Sequence, residues 1–257
     1  MLAVFGIGVF GFVNLFKSSE TLPTKNNNLG PKQEIIGKSV EKRDIVAYYF
    51  GNGERKILFV GGIHGGYEGN SVLLANKFMD YLSTNPEDIP KNLTITIIPS
   101  INPDGVFAVS RFNTNKVDLN RNFDCKWKPK GVWKGNVVSA GTAPFSEPEA
   151  MALRDFVLKN NPDAVIFWHS QANAVYASEC KDGILPETLN IMNAYSEASG
   201  YPSVKSFDSY EVTGDAEGWL ASINIPAITV ELKTHETIEW EGNLLGIKAL
   251  FEYYKKY

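Results

Sequence analysis

Short apolar runs bounded by turn residues alternate along this chain with stretches in which apolar residues recur every three to four positions. Ile57-Leu58-Phe59-Val60, closed by Gly61 and Gly62, reads as a strand buried on both faces, as in a parallel sheet. Val72, Ala75, Met79 and Leu82 then follow at helical spacing, with Asn70 as the predicted cap and Pro86 as the stop. Residues 45–50 and 56–60 flank Gly51-Asn52-Gly53-Glu54, which predicts a hairpin. Leu93 to Ile98 forms another strand, ended by Pro99. Ser146-Glu147-Pro148-Glu149 has capping-box spacing before a periodic helix that runs to about Asn160. Residues 163–168 make a buried-type strand ending on His169, and residues 227–230 make another ending on Glu231. Helices are predicted over 186–199, 216–222 and 244–254, with a strand-like stretch over 203–207.

Strands that alternate with helices, without internal repeats, predict the α/β class: a single three-layer α/β/α domain with a mixed, mostly parallel central sheet, spanning residues 41–257. Residues 1–16 are apolar apart from Asn14 and several glycines, and Lys17 follows. Residues 1–17 are therefore expected to be a hydrophobic export signal or N-terminal membrane anchor. The expected location is extracytoplasmic, with membrane contact through residues 1–16. Gly6-Ile7-Gly8-Val9-Phe10-Gly11 fits the dinucleotide-binding spacing but lacks a preceding strand and a following strand-helix-strand unit, so it is set aside. Residues 18–40, polar and turn-rich in their first half, are expected to be a linker.

Composition narrows the function classes. With 25 basic and 29 acidic residues and no basic block, nothing favours binding along a nucleic-acid backbone. Cys125 and Cys180 form no Cys-x-x-Cys pair, which argues against a structural zinc site or a redox motif. They are either one disulfide of an exported protein or two unpaired thiols.

Candidate chemistry gathers at strand ends. In open α/β sheets ligands bind beyond the carboxyl ends of the strands, which is where His64, His169 and Glu231 fall. His64 and Glu68 lie four residues apart on a glycine-rich turn and can share one face toward a divalent metal such as zinc. Each has an ordinary alternative, a hydrogen-bonded structural histidine or the polar end of a strand, but jointly these require three independent accidents. His235 has no such placement and reads as a surface residue. Asn120 and Arg121 combine an amide with a planar guanidinium fork, suited to gripping a carboxylate, and Arg111 is a second guanidinium ten residues upstream.

Asn102-Pro103-Asp104-Gly105 followed by Val117-Asp118-Leu119-Asn120-Arg121-Asn122-Phe123 resembles the zinc carboxypeptidase family, the carboxypeptidase A-like peptidases. Gly61-Gly62-Ile63-His64, Pro144 to Glu149, His169-Ser170 and Val230-Glu231-Leu232 match in the same order. The resemblance implies that His64, Glu68 and His169 hold one zinc ion per chain and that Glu231 is the general base and acid. It implies that Arg111 polarises the scissile carbonyl, that Asn120 and Arg121 bind the substrate's terminal carboxylate, and that Tyr210 closes over it. One departure stands out: the family spaces its first two ligands His-x-x-Glu, whereas Tyr67 here delays the glutamate to the fourth position. Glycines 65 and 66 make the turn deformable enough to restore coordination. Glu217, seven residues after Tyr210, falls in the family's side-chain pocket, with Asp215 close by. An acidic pocket favours a C-terminal Lys, Arg or diaminopimelate, although Asp215 can equally serve as a helix cap. The implied protein is a monomeric zinc metallocarboxypeptidase acting on a peptide or peptidoglycan-stem peptide with a free C-terminus. A related zinc amide hydrolase (a cell-wall endopeptidase or N-acyl amino acid deacylase) and a non-catalytic peptide-binding descendant are the alternatives.

Overall fold

The structure is a computed structural model that describes residues 31–256. The predicted export or anchor segment, the set-aside glycine pattern and residues 18–30 of the predicted linker lie outside the described residues. In chain order the strands are β1 (Lys32–Lys38), β2 (Asp44–Gly51), β3 (Arg55–Val60), β4 (Leu93–Ile98), β5 (Lys130–Trp133), β6 (Asn136–Ser139), β7 (Ala164–Ser170), β8 (Ala174–Ala177), β9 (Ser203–Val204) and β10 (Ala227–Leu232). The helices are α1 (Gly69–Thr84), α2 (Pro103–Phe107), α3 (Pro148–Asn160), α4 (Pro186–Ser199), α5 (Ala216–Ser222) and α6 (Trp240–Lys255).

Eight strands form one sheet in the order β1-β2-β4-β3-β7-β10-β8-β9, and β5-β6 make a separate hairpin. The centre, β4-β3-β7-β10, is wholly parallel, and within this sheet antiparallel pairing is confined to β1-β2, β2-β4 and β8-β10. Period-two alternation explains why a continuous apolar run suits β3. Ile57 and Phe59 enter the core under α1, α4 and α6, while Leu58 and Val60 enter the opposite core under α3 and α5. The sheet is thus covered on both faces. Phe59, Phe78 and Trp168 form the aromatic centre of the first core, with ring centroids 5.1 to 6.1 Å apart. Among the described residues, no helix is long and apolar enough to cross a membrane.

Four local expectations are corrected. β2 and β3 do not pair as a hairpin: β4 lies between them, and the 51–54 connection crosses its start, with Gly53 and Arg55 amides donating to the Leu93 and Asn92 carbonyls. Residues 32–38, placed in the linker by composition, form edge strand β1 against β2. Ser146 and Glu149 do not close a capping box. Ser146 Oγ instead bonds Asn122 and the Thr142 amide, and Glu149 turns to the Val40 amide and Asn113, so tertiary partners outcompete the local one. Asn70 does not cap α1, because its side chain reaches across to the Thr234 and Thr237 carbonyls.

Cys125 and Cys180 form a disulfide that ties the loop following Arg121 to the segment after β8. Closing a loop with a sequence separation of 55 restricts the unfolded chain; loop entropy alone gives roughly 4 kcal/mol. Cys125→Ser/Cys180→Ser is therefore expected to lower the unfolding free energy by about 2–4 kcal/mol in urea titrations. An unchanged midpoint and slope would show that the bridge adds nothing.

Candidate active site

Because β3, β7 and β10 are adjacent and parallel, their carboxyl ends emerge at the same edge, and that alone brings His64, His169 and Glu231 together. His169 and Glu231 are direct register partners on β7 and β10. His64 lies in the turn after β3, its ring centroid 4.9 Å from that of His169.

The extra residue between His64 and Glu68 is absorbed by a 3₁₀ turn over Gly65–Glu68. Gly65 has φ +49°, and a Cβ there would stand 2.5 Å from backbone atoms of Gly105 and Ser110, so the turn requires glycine at this position. The result places Glu68 Oε2 3.2 Å from His169 Nδ1, and the Ser170 amide donates to the same oxygen. His64, Glu68 and His169 each offer a ligand atom within 4.8 Å of the others, and all three are buried.

A cation fits this group. Two imidazoles and one carboxylate are the donor set of an open catalytic zinc site. Burial, followed by the nearby Arg111, holds His64 well below the usual histidine range, so it is the neutral imidazole a metal requires, and its buried Nδ1 has no hydrogen-bond partner. Asp118 Oδ1 stands 3.4 Å from that nitrogen, an ion-pair distance without hydrogen-bond alignment. Burial alone would push His169 down as well, but its bonds to Glu217 and Glu68 prevail and hold it well above the usual range. The surrounding carboxylates thus demand positive charge at this point.

The other predicted residues line the same cavity of about 530 Å³. Glu231 faces the metal group with the Ala172 amide donating to Oε2; burial, then the Glu68 charge, pushes it up to about 7. Arg111 is 6% exposed and held from below: its Nε donates to Asp118 and its Nη1 to Glu68 Oε1, while Trp133 covers the guanidinium at 4.6 Å. Arg121 Nη1 donates to the Asn120 carbonyl and Nη2 to that of Val132, which leaves further donors on the fork, and its guanidinium carbon lies 5.9 Å from the Tyr210 ring centroid. Asn120 uses its amide oxygen to accept from the Ala216 amide. Asp215 caps α5 through the Gly218 amide, and burial, then the Glu217 charge, raises it to about 6. Glu217 is buried beneath the cavity against His169.

Sequence reasoning missed three positions. Asp118, fully buried, ties together Arg111, the Asn120 amide and the His64 side of the site; its signal was its place two residues before Asn120-Arg121. Ser170 fixes Glu68 through its amide, and its hydroxyl bridges Asn70 and His235. His235 is corrected from a surface residue to a half-buried one, with Nδ1 2.7 Å from Ser170 Oγ and its ring against Tyr67 at 4.7 Å.

Comparison with known proteins agrees with this geometry. The family model described as zinc carboxypeptidase matches residues 24–245. Gamma-D-glutamyl-L-diamino acid endopeptidase 1 of Lysinibacillus sphaericus is 26% identical over 237 residues, covering 77% of this chain and 59% of that protein. Murein peptide amidase A of Escherichia coli K12 is 32% identical over 145 residues, covering 52% of this chain and 56% of that protein. The chain thus spans somewhat over half the length of these relatives. In fold, the murein-tripeptide amidase of Escherichia coli O157 superposes with a TM-score of 0.70 at 24% identity, covering 88% of this chain and 92% of that one. Bovine thrombin-activatable fibrinolysis inhibitor superposes with a TM-score of 0.72 at 22% identity, covering 88% of each chain. With the matched model spanning most of its length, and with the strand-end histidines, Glu68 and Glu231 gathered in one cavity, the chain belongs to the zinc carboxypeptidase family.

Proposed function

We propose that this chain is a zinc metallocarboxypeptidase that hydrolyses the amide bond preceding a C-terminal residue with a free carboxylate. The observation that carries the reading is the convergence of His64, Glu68 and His169 with Glu231, Arg111 and Arg121 around one cavity. His64, Glu68 and His169 would hold the zinc. When bound, zinc supplies Lewis acidity that polarises the carbonyl and makes water more acidic. Glu231 accepts the proton of the attacking water and passes it to the leaving amine. Its raised pKa, about 7, suits a group that must both take and release a proton. Arg111, clamped by Asp118 and Glu68, directs its remaining donors at the oxyanion that develops on the carbonyl. Arg121 pairs with the terminal carboxylate, and Tyr210, beside it, closes over that end of the substrate.

The substrate we favour is a cell-wall peptide ending in a diamino acid such as diaminopimelate. Asp215 lines the cavity as an acidic group, and two relatives are named for murein peptide and γ-D-glutamyl-diamino acid bonds. The same relatives favour a second reading, cell-wall endopeptidase cleavage by the same zinc and Glu231. An extracytoplasmic location, supported by the Cys125–Cys180 bridge since disulfides persist in oxidising compartments, and a monomeric state are the accompanying proposals.

Peptides ending in Lys, diaminopimelate or Phe, each with a free or amidated C-terminus, distinguish the readings. Amidation is expected to reduce kcat/KM about 10²-fold or more, because it leaves the Arg121 donors without their charged partner. Equal cleavage of free and amidated ends moves the assignment to the endopeptidase reading. Equal cleavage of peptides ending in Phe and in diaminopimelate removes the cationic preference.

A further inference from the structure

We propose that Glu217 is a positioning residue for the metal centre: it fixes the His169 ring so that Nδ1 faces Glu68 and the ion. This inference rests on the metallopeptidase reading and goes beyond the pocket role that sequence position gives Glu217. Its side chain is 5% exposed, and Oε1 accepts from His169 Nε2 at 3.0 Å and from Thr229 Oγ1 at 3.2 Å. A carboxylate that read a substrate cation would present its oxygens to the cavity, whereas this one commits Oε1 to two protein groups.

The geometry of imidazole supplies the rest. Its two nitrogens lie on opposite edges of the ring, so a bond at Nε2 commits Nδ1 to the other side, where Glu68 Oε2 stands 3.2 Å away. A carboxylate behind a metal-binding histidine selects the tautomer, prevents ring rotation and makes the free nitrogen a better donor. The supports are stiff. Thr229 belongs to β10, which pairs with β7 through the Glu231–His169 register, and α5 is fixed at its start by Asp215 on the Gly218 amide. Glu217 on α5 thus stands behind His169, whereas His64 Nδ1 has no hydrogen-bond partner and only approaches Asp118 at 3.4 Å. Asn120, which accepts from the Ala216 amide next to Glu217, joins the start of α5 to the loop that carries Arg121.

The test is zinc affinity measured by competition with a chromophoric chelator on the full chain, for wild type, Glu217→Gln and Glu217→Ala. Loss of such a support weakens metal binding about 10–100-fold. Glu217→Ala is expected to show this loss, and Glu217→Gln a smaller one, because the amide oxygen still accepts from Nε2 but without the charge. The cobalt-substituted variants should show shifted visible bands, while the metal-free melting temperature of Glu217→Gln stays within error of wild type. Wild-type affinity in both variants, accompanied by a lost preference for diamino C-termini, overturns the proposal and makes Glu217 a specificity residue. An affinity loss matched by a fall in the metal-free melting temperature of both variants also overturns it. A wild-type chain that takes up no zinc removes the metallopeptidase reading itself, a result distinct from either.

Discussion

Replacing Glu231 with glutamine is expected to lower kcat roughly 10²–10⁴-fold while zinc binding is retained. Glutamine keeps the size of the side chain and can still accept from the Ala172 amide, so the cavity should keep its shape. What it loses is the ability to take a proton from water. The pH profile adds an independent signature. Glu231 works as the carboxylate, so activity falls as pH drops through its pKa; burial and Glu68 set that value to about 7, and a neighbouring dication favours the ionised form. The acid limb of kcat/KM should therefore lie at or below about 7 and vanish in Glu231→Gln. Turnover at wild-type rates with zinc bound would remove Glu231 from the chemistry.

Arg111→Lys is expected to lower kcat about 10²–10³-fold, the usual effect of losing one oxyanion donor, with a smaller change in KM. Lysine preserves the charge between Asp118 and Glu68 but replaces a planar fork with a single ammonium, which cannot bond both carboxylates and also reach the substrate. Arg111→Met should behave differently. It removes the one cation that both Asp118 and Glu68 bond, a change that costs up to about 3–5 kcal/mol, and should lower the melting temperature as well as the rate. Equal kinetics in Arg111→Lys and wild type would place the oxyanion elsewhere.

The parts of the fold that were legible in the chain are those dictated by local periodicity. The runs at 57–60, 93–98 and 163–168 became central strands because an apolar stretch of that length suits a sheet covered on both faces. Helices α4 and α5 match their predicted spans because Pro186 and Asp215 start them and Gly200 in the left-handed conformation ends the first. Pairing was less legible. Nothing local tells β2 that β4 will insert beside it, so a glycine-asparagine-glycine connection that resembles a hairpin turn carries the chain across a third strand instead.

The candidate site divides in the same way. Strand ends identified His64, His169 and Glu231, since parallel neighbours must deliver their carboxyl ends to one edge. The ordered motifs pointed to Arg111, Asn120 and Arg121. Contacts between distant segments left no signal: Ser170 with His235 and Glu217 with His169 depend on tertiary approach. Glu68 is the instructive case, because its spacing argued against it. Only the tight turn that glycine permits at 65 brings the fourth residue to where a third would ordinarily stand.

Whether that turn delivers Glu68 to the ion is directly measurable. An anomalous-difference map at the zinc edge from crystals of the zinc-loaded chain should show one peak. It should lie about 2.0–2.2 Å from a nitrogen of His64, a nitrogen of His169 and a carboxylate oxygen of Glu68. A peak bound by the two histidines with Glu68 turned away, or located outside this group altogether, would contradict the ligand set on which the proposed activity depends.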